Sequence, residues 1–466
     1  MKERSSYADM QVNPCKMCMP MGASLAFLGI AGSMAIIHGS QGCSTYIRRH
    51  IAGHFNEPVD IASSSLTEEG TVYGGARNLK AGVLNLTQLY QPRVIGILTS
   101  CLAETIGDDV RRFAKEIRLE HPELVADLIP VPTPGYGGSQ TEGYYAALRG
   151  IVAHYNPPEA DSWKRSRNPR RVNLVASSAT CADLRELKEI LDSFGLEGVL
   201  LPDYSDALDA PFGEPYEKLN PYGTTVEEVQ GMKVAAATVE LGVLVEESLS
   251  PGMYLYEQHG VPLYRIPLPV GLECTDRLLE VLGDIAGMET PLKYKMQRGR
   301  LLDAMIDSHK HNGLGRAAVF GDMELAYGLT RLCAENGIKP LVAATGTANQ
   351  QFSLYMGKLL EEEGLEGEVL QDTDFEVIRE RILDRGVNVM VGNSDGKFIW
   401  EQDGIDLVRV GFPIHDHVGG QRQRIFGYAG AMELLDRIAN TLLDQKHRHY
   451  RKTMLETYHA KEAVES

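Results

Sequence analysis

Between residues 317 and 410 the chain alternates short apolar runs with longer amphipathic ones, and this alternation restricts the folds open to it. The runs at 317–320, 341–344, 387–391 and 407–410 are too short for helices, whereas 324–336 and 374–384 have helical spacing. A helix between two such strands returns the chain to the edge it started from, so the strands lie parallel. A parallel sheet is covered by helices on both faces and offers functional groups at the carboxyl ends of its strands.

The same pattern occurs twice upstream. An apolar run at 93–100 ends at Cys101, and 128–131 is the next strand. Between them a helix starts near 107–109, where Asp108 and Asp109 suit the positive end of its dipole. The polar, proline-containing stretch at 157–171 marks a boundary. Beyond it come a strand at 172–177, a helix at 182–194 and strand-like runs at 198–201, 234–238 and 263–268. A helix over 299–309 leads into the third region. At 466 residues the chain is too long for one domain. The pattern predicts an α/β fold of three Rossmann-like, doubly wound domains with parallel sheets, at 1–160, 161–312 and 313–466. The last ends in a charged helical tail at 447–466.

A net charge of −17 argues against nucleic acid or anionic membranes as partners. Residues 1–10 are polar and have no signal-peptide core. The apolar run at 21–37 is broken by three glycines and two serines and is followed by a polar, basic stretch, so no membrane span is expected. The expected location is cytoplasmic, where cysteines more often bind metal or do chemistry than form disulfides.

Seven cysteines are present. Cys181, Cys274 and Cys333 are scattered and read as buried thiols. Cys15 and Cys18 form a C-x2-C pair, but no strand precedes it and no second pair completes a zinc site. Cys43 follows the run HGSQG, where Gly39 and Gly42 remove side chains beside the thiol, and Cys101 closes a buried strand. Cys18, Cys43 and Cys101 would suit an iron–sulfur cluster completed by another chain's thiolates. Spacing alone leaves that reading and three ordinary buried cysteines both standing.

The runs NPCKMCMPMGA, HGSQGC, HFNEPV, LTEEGTVYGG and LTSCLAETIGDDV occur in the order, and with nearly the spacing, of one family. Together with RGRLLDAMIDSH, GNSDGKFI and VRVGFPIHD they make the chain resemble, over essentially its whole length, the beta subunit of nitrogenase component 1. The resemblance implies that Cys18, Cys43 and Cys101 are the beta-side ligands of a P-cluster, an 8Fe–7S cluster shared with an alpha-type subunit. Cys15 has no counterpart in that set. Tyr46 matches a tyrosine beside the cluster that takes part in electron delivery, and Tyr73 an aromatic on the face that docks the reductase. Glu57, Asp303 and Asp307 match carboxylates that hold a divalent cation between two beta subunits. Spacing agrees in part, since Asp303 and Asp307 share one helix face. Asn56 replaces a residue that contributes only its backbone carbonyl.

The resemblance further implies an alpha2beta2 heterotetramer, a catalytic iron–sulfur cofactor in the alpha-type chain and an ATP-dependent iron protein as reductant. The chain has no Walker A run, so ATP hydrolysis belongs to that partner. One departure stands out: TPGYGGS carries Gly135 where the family has a serine that can ligate the oxidised cluster. His415 and His417 sit in a beta-style GFPIHD context and read as structural or interfacial. The short stretch before the first motif argues against the long-arm type of molybdenum-enzyme beta subunit, and the lost serine with the departures from the standard motifs tilts the expectation slightly from dinitrogen reduction toward a nitrogenase-like methylthio-alkane reductase. A cofactor-assembly scaffold is the class-distinct alternative.

Overall fold

The computed structural model describes residues 13–159, 166–213 and 217–458. Three sheets form in chain order. The first joins β1 (Ser33–His38), β2 (Ala62–Ser63), β3 (Val94–Thr99) and β4 (Asp127–Val131) in the order β2-β1-β3-β4. The second joins β5 (Asn168–Val175), β6 (Glu197–Leu201), β7 (Ala235–Leu241) and β8 (Leu263–Ile266) in the order β6-β5-β7-β8. The third joins β9 (Arg316–Phe320), β10 (Lys339–Ala344), β11 (Glu368–Leu370), β12 (Val389–Gly392) and β13 (Asp406–Arg409) in the order β11-β10-β9-β12-β13. Every strand pairing within these sheets is parallel. In each sheet the strand order reverses beside its first strand in sequence (β1, β5 and β9), the crevice where open α/β sheets bind ligands.

The apolar run at 21–37 divides into the Met19–Leu28 helix and β1, both largely buried. No helix among the described residues is long and apolar enough to cross a membrane. That helix packs backbone to backbone on the Gln140–Tyr155 helix. A β-carbon at Gly143 would come within 2.6 Å of the Met19 backbone, and one at Gly22 within 2.6 Å of the Gln140 backbone. The two glycines therefore clamp the turn at Cys18 to the helix that follows β4.

Several expected boundaries move. β5 starts at Asn168, inside the stretch read as a linker; its first residues are partly exposed, and its register with β7 shifts between Asn168 and Val172. Residues 160–165 of that stretch lie outside the described residues. Lys339 and Pro340, outside the strand expected at 341–344, belong to β10, where the register shift between Pro340 and Val342 accommodates the proline. The helix placed at 299–309 spans Leu292–Asn312. The charged tail continues the Gly427–Tyr458 helix, and 459–466 lie outside the described residues.

Candidate metal centre

Three turns at the carboxyl end of the first sheet carry the exposed cysteines. Cys18 caps the start of the Met19–Leu28 helix, Cys43 is the third residue of the Gln41–Phe55 helix after β1, and Cys101 opens the Cys101–Thr105 helix after β3. The first amides of a helix have no partner within it and are free to donate to a group bound beside them.

Exposure separates the seven cysteines cleanly. Cys18, Cys43 and Cys101 are open to solvent, whereas Cys15, Cys181, Cys274 and Cys333 are buried. The Cys18 sulfur is crowded enough that desolvation raises its pKa; the Met21 amide lowers it, and the Cys43 and Cys101 thiols raise it again. These last two effects place the three sulfurs within electrostatic reach of one another. Among the described residues no three His, Cys, Asp or Glu side chains are close enough to hold a single metal ion. A donor set of three thiols, spread over one open face, fits one side of a multinuclear cluster better than a lone ion.

The loop after β4 closes the fourth side. A β-carbon at Gly135 would lie 2.9 Å from Cys101 Sγ and 3.5 Å from Cys18 Cβ, so this position borders two of the three sulfurs. A β-carbon at Gly42 would meet only the Ser40 hydroxyl, at 3.9 Å. One at Gly39 would strike the Ser100 side chain, not the space beside Cys43.

Tyr46 lies one turn beyond Cys43 on the same helix face, is 63% exposed, and stacks on His50 with centroids 6.1 Å apart. Tyr73 ends the short Glu68–Tyr73 helix and is 84% exposed. Cys15 belongs to another place altogether. Its amide donates to Thr373 O (3.1 Å) and its carbonyl accepts from Gly346 N (2.9 Å), so it lies across the carboxyl end of the third sheet.

The carboxylates do not assemble within one chain. Glu57 is half-buried; desolvation and then Asp209 raise its pKa. Asp303 and Asp307 are exposed on the Leu292–Asn312 helix, along a groove of about 420 Å³ that also takes in His311 and Asp436. Asp436 has a raised pKa, from desolvation first and then from Asp307 and Glu433. Sequence reading missed both residues, although His311 follows Asp307 at the i, i+4 spacing that singled out the aspartates. His415 and His417 are exposed, which excludes a core role for them. Asp108, expected to complement a helix dipole, instead accepts from His38 Nε2 and the Gly75 amide (both 2.9 Å); Asp109 caps the Val110–Glu120 helix.

A second cavity, of about 60 Å³, opens where the carboxyl ends of the three sheets meet. Its lining includes one histidine, His54, and no cysteine. His54 Nδ1 accepts from the Ile414 amide at 2.9 Å, and burial brings its pKa down to about 4. The space suits a few waters and is too small for an inorganic cofactor.

Residues 18–443 match the family model described as nitrogenase component 1 type oxidoreductase. The chain is 33% identical over 456 residues to the nitrogenase molybdenum-iron protein beta chain of Methanococcus maripaludis, covering 95% of this chain and 96% of that one. It is 36% identical over 447 residues to the beta chain of the same name from Frankia alni, covering 94% and 84%. Among solved structures, that of nitrogenase Cp1 at pH 6.5 superposes with a TM-score of 0.89 at 32% identity, covering 96% of each chain.

Proposed function

The chain belongs to the nitrogenase component 1 type oxidoreductase family, as a beta-type subunit, and on that premise we propose that Cys18, Cys43 and Cys101 hold half of an 8Fe–7S P-cluster. The observation that carries this reading is the exposure of these three thiols, and no others, on one face of the chain. An alpha-type subunit supplies the remaining thiolates, and the assembly is an alpha2beta2 heterotetramer. Bound there, the cluster passes electrons from an ATP-dependent iron protein toward the catalytic cofactor.

This chain's own part is positional. The helix starts at Cys18 and Cys43 fix where their sulfurs stand, and Tyr46 stands beside Cys43 on the route for electrons. Tyr73 contributes to the docking face for the reductase. Glu57 of one beta-type chain and Asp303 and Asp307 of another would share a divalent cation. The small, cysteine-free cavity between the sheets supports assigning substrate chemistry to the alpha-type chain.

For the substrate, Gly135 supports a methylthio-alkane, reduced at a carbon–sulfur bond, because it withholds the serine oxygen that the dinitrogen-reducing family offers the oxidised cluster. The names of the relatives support dinitrogen as the second reading. Both are tested on the complex purified anaerobically, with iron and molybdenum counted and activity compared on dimethyl sulfide and dinitrogen. The cluster itself is tested by Cys43→Ala and Cys101→Ala. Each is expected to lower iron content and change the EPR spectrum; unchanged iron and EPR would sink the shared-cluster assignment.

A further inference from the structure

Behind the cysteine turns lies a set of buried polar groups that the electron relay described above does not use. His38, the last residue of β1, is wholly buried. Its Nε2 is 2.9 Å from Asp108 Oδ2, and its Nδ1 is 2.9 Å from Ser64 Oγ. Asp108 Oδ2 also accepts from the Gly75 amide at 2.9 Å, and Ser64 Oγ accepts from the Gly39 amide at 3.1 Å. A neutral ring satisfies every one of these groups: Nε2–H donates to the carboxylate, and Nδ1 accepts the serine hydroxyl proton. Burial lowers the pKa of His38, and this outweighs the bond and charge of Asp108, which raise it.

The backbone of the same residues reaches both strand-end cysteine turns. The His38 carbonyl accepts from the amide of Ser100, which caps the helix opened by Cys101. Gly39 lies between His38 and Ser40, which caps the helix carrying Cys43. Its carbonyl accepts from the Leu66 amide at 2.9 Å. At the other end, Gly75 caps the Ala76–Tyr90 helix and follows the segment that exposes Val72 (73%) and Tyr73 (84%). His38, with its ring on Asp108 and Ser64 and its carbonyl on Ser100, thus joins the 67–75 segment to the turns of Cys43 and Cys101.

We propose that His38 is a positioning residue: its ring is the joint through which the 67–75 segment fixes the turns of Cys43 and Cys101, and so sets the sulfur geometry of the cluster. The proposal rests on the cluster reading above. Groups one step removed from metal ligands tune the metal by orienting those ligands, and a joint held by two hydrogen bonds to buried partners transmits displacement instead of absorbing it.

The test uses the anaerobically purified complex and reads iron content and the midpoint potential of the cluster's EPR signal. The unsubstituted protein is compared with Ser64→Ala, Asp108→Asn and the double variant. Both single variants are expected to keep their iron, to shift the potential beyond the spread of repeat titrations, and to release iron to a chelator roughly tenfold faster. The double variant is expected to shift the potential by less than the sum of the singles, because both act through one ring. Unmoved potentials in iron-loaded variants, or strictly additive shifts, overturn the proposal. If Asp108→Asn fails to fold, His38→Gln, which keeps a donor toward Asp108, replaces it with the same readout. Absence of iron from the unsubstituted complex overturns the cluster reading and this proposal together; unmoved potentials overturn this proposal alone.

Discussion

Gly135 presses so closely on Cys101 that a single added carbon would stand 2.9 Å from its sulfur. Gly135→Ser therefore puts a hydroxyl at the edge of the thiol cluster. We expect the oxidised complex to change its EPR signature while its iron content stays the same. Identical oxidised spectra from the two proteins would show that the missing serine has no redox consequence.

Gly346 is a second close approach, far from the first. A β-carbon there would come within 2.5 Å of the Cys15 carbonyl carbon and 2.8 Å of the Lys16 nitrogen. Backbone cannot give way as a flexible side chain can, so Gly346→Ala must push the 13–17 arm off the third sheet. The expected cost is about 1–3 kcal/mol of stability. Chemical denaturation checks it, and an unchanged midpoint refutes it. The same variant should hold iron less firmly, because Cys18 is three residues beyond Cys15.

His54 makes stability depend on pH in a defined direction. Folded, its Nδ1 accepts from the Ile414 amide and the ring stays neutral down to about pH 4; unfolded, it takes up a proton below about 6.5. Its contribution is intact above pH 6.5 and is lost as pH falls toward 4, by up to about 3 kcal/mol. Groups with the opposite slope, such as Glu324 with its carboxyl pushed by burial up to about 7, cancel when the protein is compared with His54→Gln. The stability difference between the two proteins should shrink or change sign across that window; a flat difference refutes the assignment.

The proposed cation at the beta–beta contact predicts a change in assembly. Asp303→Asn combined with Asp307→Asn should weaken cation retention by at least roughly tenfold, the upper cost of losing one outer-shell partner being larger still. Sedimentation velocity with and without a chelator is the check. The unsubstituted complex should shift to smaller species when chelated, and the double variant should already be shifted and insensitive. A double variant that assembles normally and still responds to chelator removes these residues from the site.

The alternation that opened the sequence reading was a reliable guide because a parallel strand buried on both faces needs apolar residues at every position, which leaves an unbroken run. It misled where a strand outruns its covering helices. The partly exposed first half of β5 reads as linker, and Pro340 falls outside the expected strand because a register shift cannot be seen in sequence. Within the candidate site, Cys43 is marked in the sequence by its neighbouring glycines, Cys101 by its place at a strand end, and Cys18 chiefly by the family resemblance. The role of Asp108 is not, since its partner His38 is 70 residues away and nothing local marks the pair. Asp436 escaped for the same reason, lying on a helix more than a hundred residues beyond Asp307.

The outward-facing thiols have a bearing on how the protein is made. Each sits at a helix start built from the chain's own hydrogen bonds, and all three remain solvent-exposed once the chain is folded. A copy without the proposed partner chain carries three solvent-open sulfurs, accessible to sulfenic acid formation or to cross-linking with other thiols. On the proposed pairing, the time a copy spends alone and the reducing power of its surroundings would bear on how many copies keep all three thiols.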